Sequence, residues 1–162
     1  MIHAPRHRTS FVAVAAASIA FAAHPQTQTL KPPPLDIVRV KGDLYMISGE
    51  GGNVAVYVTS EGVILVDDMF YRNADDIRAK VASVTDQPIK YVLNTHQHDD
   101  HAGGNAKLLA IANVIAQQNV RANLEHIKQP YYEDTPGTPI GLPNITFADE
   151  LTVHLGGKEV RA

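Results

Sequence analysis

An α/β fold, with strands and helices alternating through one domain, is what this sequence predicts. Three observations predict it. Short β-branched runs recur at residues 54–58, 63–66, 89–93 and 112–116, dense enough in apolar side chains to suit a sheet covered on both faces. Stretches with apolar residues at helical spacing lie between them. The most reactive residue types crowd into positions 96–101, directly after one of the apolar strands, where sheet-based folds build their sites.

The elements follow in order. Residues 36–40 and 44–48 are short strands around a turn at Lys41-Gly42-Asp43, and Gly51-Gly52-Asn53 breaks the chain again. Residues 53–59 and 63–66 make a hairpin around Ser60-Glu61-Gly62, where Gly62 can take a positive φ. Ala74, Ile77, Val81 and Val84 line one face of a helix that Asn73 is placed to cap and Pro88 to stop. Residues 89–93 form a strand that runs straight into Asn94-Thr95-His96, and 105–110 a short helix beyond Gly103-Gly104. Residues 112–116 are a buried strand. Residues 118–129 are a helix with Val120, Leu124 and Ile127 on one face, closed by Pro130. A loop spans 131–142. A second hairpin is expected from 145–148 and 151–155 around Asp149-Glu150, with a turn at Gly156-Gly157 and a new strand starting near Val160.

Composition sets the bounds. The 162 residues are 44% hydrophobic and 19% charged, a globular mixture suited to one domain, which excludes disorder throughout. A formal charge of -3 gives no broad attraction for nucleic acid or an anionic membrane. The chain has no cysteine, so a disulfide, a thiol nucleophile or a thiolate metal site is excluded within these residues. No Gly-x-Ser-x-Gly elbow points to an acyl-enzyme route.

The first residues read as an address. Arg6 and Arg8 precede an apolar run at 11–22 that ends in Ala20-Phe21-Ala22. A basic head, an apolar run and a small-x-small end describe a secretory signal peptide, residues 1–22, cut near Ala22 or Ala23. The run is shorter than the ~20 residues of a membrane-spanning helix, so no stable span is expected. Export to the periplasm or the extracellular space follows. Residues 23–34 are a polar, Pro-rich flexible lead-in, and the domain occupies 35–162. His3, His7 and His24 fall in these leading segments and are set aside as ligands.

The chemistry sits in His96-Gln97-His98-Asp99-Asp100-His101. On extended backbone His96 and His98 lie on the same side and can share a metal. Asp100 and His101 follow where a turning chain can aim them at a second one. Imidazole nitrogen and carboxylate oxygen are zinc donors. The bland alternative, carboxylates capping the next helix among exposed histidines, does not account for three imidazoles at this spacing.

Thr95-His96-Gln97-His98-Asp99-Asp100-His101, followed by Ala102-Gly103-Gly104-Asn105, resembles the histidine-x-histidine-x-aspartate-histidine signature of the metallo-β-lactamase superfamily. Residues 52–58, 62–67 and 145–157 resemble its early and middle strands, so the likeness runs from about Asp36 to the end of the chain. The resemblance implies an incomplete αββα metallo-β-lactamase-like sandwich, mainly its N-terminal half. It implies that His96 and His98 bind a first zinc and that Asp100 and His101 bind a second. Asp100 would also orient the attacking hydroxide, and Asp67 would hold the loop and ligands from behind. Asp99 has no ligand role in the pattern.

The family completes its site with a histidine, a bridging aspartate and a final histidine further along. Only His126 and His154 follow the motif here, and neither matches, one lying in a helix and the other in a strand. The expectation is a truncated domain that holds one zinc or none tightly and self-associates through an exposed, incomplete core. The implied activity is that of a zinc-dependent hydrolase, metal-bound hydroxide attacking a β-lactam, lactone or other ester-type bond of a small molecule, impaired in this chain. The alternative is a non-catalytic metal-binding or interaction fragment. His101 argues against lactamase subclasses lacking a histidine there, and fits the histidine-rich subclass, lactonases, thioester hydrolases, sulfatases and phosphodiesterases equally. Tyr71, Tyr131 and Tyr132 are candidates for a substrate rim.

Overall fold

Seven strands form one mixed sheet in the computed structural model of the chain, which describes residues 34–127 and 137–162. The signal-peptide reading of 1–22, nearly all of the lead-in, and Tyr131 and Tyr132 lie outside the described residues. The strands β1 (Asp36–Lys41), β2 (Leu44–Ser48), β3 (Val54–Val58) and β4 (Val63–Val66) pair antiparallel in sequence order. The strands β5 (Ile89–Asn94), β6 (Asn113–Gln117) and β7 (Ile145–Phe147) then add in parallel. Tight turns suffice for the first half. The parallel half needs crossovers, supplied by helix α1 (Ala74–Ala82) and by α2 (Asp99–Ala102) with α3 (Asn105–Leu108). Helix α4 (Gln118–His126) follows β6 directly.

Alternation of side chains divides the core. Ile47, Val54, Val56, Val63, Leu65, Val92 and Val114 pack on one face with Ile77 and Val81 of α1 and Leu108 of α3. Ile64, Leu93 and Ile115 point the other way, onto Val153, Leu155 and Val160. Those last residues belong to a two-stranded sheet of β8 (Thr152–Leu155) and β9 (Lys158–Arg161). Each fully buried aliphatic side chain contributes about 1.5–3 kcal/mol relative to exposure, so both faces of β4, β5 and β6 are driven inward. A mixed sheet with helices on one side and strands on the other matches an incomplete αββα sandwich. Val120 and Leu124 of α4 make a third cluster with Ala116, Ile140 and Leu142.

Two local expectations are corrected. The hairpin around Asp149-Glu150 does not form. β7 instead extends the large sheet, Ile115 opposite Ile145, and β8 turns back into β9 at Gly156-Gly157. Those glycines have φ +51° and +74°, the paired positive angles that suit a two-residue hairpin. Asn73 does not cap α1 through its side chain. It closes a 3₁₀ turn at Tyr71–Asn73 in helical conformation, and Asp75 and Asp76 face the helix dipole in the first turn.

Candidate metal centre

Parallel pairing of β4 and β5 brings their carboxyl ends side by side, and the site grows from both. After Val66 the chain turns through Asp67 (φ +64°) and Met69 (φ +53°). Non-glycine residues rarely adopt such angles, Asp and Asn more readily than others. Backbone bonds fix the turn: Asp67 N–H donates to Leu93 O, Asp68 N–H to His101 O and Gly104 N–H to Met69 O. After β5 the chain bends through Thr95, His96 and Gln97 instead of running extended as expected, and His98, in extended conformation, is the residue before the first turn of α2, which holds Asp99, Asp100 and His101.

This folding gathers His96, Asp100 and His101, whose candidate ligand atoms all lie within 4.8 Å of one another. His98 adjoins them from an exposed position, its Nδ1 3.2 Å from His96 Nε2. His101 Nε2 is 3.5 Å from Asp100 Oδ2. A tetrahedral zinc ~2.0–2.1 Å from each donor spaces its donors by about 3.4 Å, so both pairs have the separation that a shared ion requires. The donor types, imidazole with carboxylate, also suit zinc. Burial lowers the basicity of His96, and the neighbouring His101 and His98 lower it further. The ring is thereby favoured in the neutral form that metal binding needs.

Asp67 is buried behind this cluster. Its Oδ1 accepts from Thr95 N–H at 2.7 Å, and its Oδ2 lies 2.8 Å from His101 Nδ1. That arrangement leaves Nε2 of His101 as the outward nitrogen, as in carboxylate–histidine–metal triads. Asp99 lies in the first turn of α2, where its carbonyl accepts from Gly103 N–H. His126 is exposed at the end of α4, and His154 is exposed on β8 with Glu159 3.8 Å away. Tyr71 is engaged by Lys107, whose ammonium sits 4.7 Å from the ring centre.

Other residues of the site were not singled out by sequence reasoning. Gly51 and Gly52 press backbone against the candidate ligands Asp100 and His101. A Cβ on Gly51 would stand 2.9 Å from Asp100 Cβ, and one on Gly52 would stand 3.2 Å from His101 Nε2. Asn94 accepts from the buried Asn105 at 2.8 Å and donates to His101 O at 3.3 Å, tying β5, α2 and α3 together. Their signal was a polar residue ending an apolar strand, and a glycine pair earlier in the chain.

Asp68 is fully buried, with Oδ1 accepting from Gly104 N–H at 2.9 Å and Oδ2 without a hydrogen-bond partner among the described residues. Burial pushes its carboxyl well above the usual carboxylate range, and the charge of Asp67 adds to this. The folded state therefore holds this proton more tightly than the unfolded state. The resulting stability is complete below about 3.8 and is lost as pH rises through the raised folded value. Asp68→Asn, which cannot ionise, should gain stability relative to the wild type as pH rises from 4 towards neutrality. Parallel urea titrations across that range test this, and a constant difference would contradict it.

Residues 47–160 match the family model described as the metallo-beta-lactamase superfamily. Among solved structures, the chain is similar to a metallo-β-lactamase of Cronobacter sakazakii with a HARLDQ motif, at 26% identity and a TM-score of 0.64, covering 80% of this chain and 51% of that one. It is similar to MEM-A1, a subclass B3 metallo-β-lactamase isolated from a soil metagenome library, at 27% identity and a TM-score of 0.62, covering 76% and 50%. The subclass B3 enzyme BJP-1 of Bradyrhizobium japonicum shares the fold at 22% identity and a TM-score of 0.59, covering 79% and 61%. The chain thus spans about half the length of the first of these structures, 51%.

Proposed function

We propose, from the premise that the chain belongs to the metallo-β-lactamase superfamily, that it is a zinc-dependent hydrolase of an ester-type carbonyl in a small molecule. β-Lactams, lactones and related esters are the substrate classes. The observation that carries this reading is the convergence of His96, Asp100 and His101 within 4.8 Å, with His98 alongside. His96 with His98, and Asp100 with His101, are the two pairs that would hold metal. Zinc bound there supplies a lowered water pKa and a Lewis acid for the carbonyl oxygen. Asp100 is the carboxylate placed to accept a hydrogen bond from attacking water and orient it. Asp67 keeps the His101 ring from swinging. The B3 lactamases among the similar structures favour β-lactams as the first class to assay. The reading of residues 1–22 as a signal places this activity outside the cytoplasm.

A metal-binding module without turnover is the competing reading. One observation favours it: among the described residues, the metal cluster comprises His96, Asp100 and His101 alone, with His98 as the neighbour. Three side chains can hold one ion but do not supply the donors for the two metals that clamp attacking and leaving oxygens, so this set suits one ion better than two. The 162-residue chain is expected to hold one zinc and to hydrolyse slowly. Plasma mass spectrometry after dialysis, with β-lactam, lactone and phosphoester assays, tests both points. Zinc retained in the wild type and lost in His96→Ala supports the site. Absence of zinc from the wild type would overturn it, and zinc without any turnover would leave only the module.

A further inference from the structure

We propose that the Thr95 hydroxyl is a positioning group that fixes the tautomer of His96 and so presents the Nε2 of that ring to the metal. The inference rests on reading the loop as a zinc site. Thr95 Oγ1 lies 2.8 Å from Asp67 Oδ2, 3.0 Å from Asp67 Oδ1 and 3.0 Å from His96 Nδ1. A hydroxyl has one hydrogen to donate. A carboxylate is the stronger acceptor, so that hydrogen goes to Asp67. The reverse choice would set oxygen lone pairs against a carboxylate 2.8 Å away. The lone pairs of Oγ1 therefore face the imidazole, and His96 Nδ1 must carry the ring hydrogen to meet them.

The far side of the ring is then a lone pair on Nε2, the atom 3.2 Å from His98 Nδ1. Asp67 acts on His101 in the same sense, with Oδ2 on Nδ1 at 2.8 Å. One carboxylate thus sets two imidazoles, His101 directly and His96 through a hydroxyl. The relay is held in place because the Thr95 backbone N–H also donates to Asp67, at 2.7 Å. Metal-binding histidines are commonly oriented by a partner on the other nitrogen, and loss of that partner typically costs 10–100-fold in affinity.

Thr95→Val keeps the shape and removes the hydroxyl, whereas Thr95→Ser keeps the hydroxyl. The first readout is the long-range proton–nitrogen correlation spectrum of the imidazoles in the full, metal-free chain, with His96→Asn identifying the signal. Wild type and Thr95→Ser should show His96 with its hydrogen on Nδ1, and Thr95→Val should shift population to the Nε2–H form. The second readout is zinc titration against a competing chelator. Thr95→Val should bind about 10–100-fold more weakly, and Thr95→Ser should stay close to wild type. His96 already in the Nε2–H form in the wild type, or an unchanged tautomer in Thr95→Val, overturns the assignment. Should the valine variant not fold, the wild-type and serine spectra decide alone. A wild type that binds no zinc while His96 carries its hydrogen on Nδ1 sinks the zinc reading but not the tautomer assignment.

Discussion

Asp67→Ala is expected to weaken zinc binding by about 10–100-fold and to lower stability by about 2–4 kcal/mol. Two separate losses combine. Asp67 sits at φ +64°, a conformation that aspartate adopts more readily than alanine although both carry a Cβ. Its carboxylate also takes hydrogen bonds from the Thr95 backbone, the Thr95 hydroxyl and His101 Nδ1. Without it, both imidazoles lose their fixed orientation. Asp67→Asn separates the terms. Asparagine tolerates the left-handed backbone and keeps the size, so most of the stability should return. Its amide donates where the carboxylate accepted, which favours hydrogen on His101 Nε2, the wrong nitrogen for a metal. Urea unfolding and chelator-competition titration of the three proteins check this. Recovery of zinc affinity in Asp67→Asn would show that shape, not hydrogen-bond direction, is what Asp67 supplies.

The extent to which this was legible differs from element to element, for physical reasons. The apolar runs of β3, β4, β5 and β6 and the helical stripe of Ala74, Ile77 and Val81 follow from local side-chain periodicity, which does not depend on partners. The convergence of His96, Asp100 and His101 was legible because such residue types at that density have few uses other than a shared site. Pairing is different. The sequence 145–147 has the alternation of a strand, but alternation fixes which side chains share a face and not which strand lies alongside. β7 took the free parallel edge of β6, and Gly156-Gly157, suited to consecutive positive φ angles, won the hairpin over Asp149-Glu150. Thr95 and Asp67 are 28 residues apart, so their meeting depends on the β4–β5 register and is invisible in any local window.

Gly52→Ala is expected to reduce zinc affinity by about 10-fold or more, since about 1.4 kcal/mol of strain in the bound form corresponds to one such factor. The reason lies in where a Cβ would fall: 2.8 Å from Asp100 O, 3.0 Å from His101 Cε1 and 3.2 Å from His101 Nε2. The first of these is backbone and cannot rotate away. The other two belong to the ring whose Nδ1 is held by Asp67. Relief therefore requires the glycine loop to lift off the site or His101 to leave the carboxylate, and either spoils the position of Nε2. The clash with Asp100 O is present without metal as well, so the unfolding midpoint should fall too, while displacement of the His101 ring adds a cost that appears only on binding. Gly42→Ala is the informative contrast. Gly42 has φ +54° and nothing within 4 Å of an added Cβ, so its substitution should lower the midpoint through backbone strain and leave zinc affinity intact. Calorimetry and zinc titration on both variants resolve the two effects. Equal losses of affinity would mean that the glycines act only through overall stability. Loss confined to Gly52→Ala would mean that the turn before β3, legible from sequence only as a break between strands, is a wall of the metal centre.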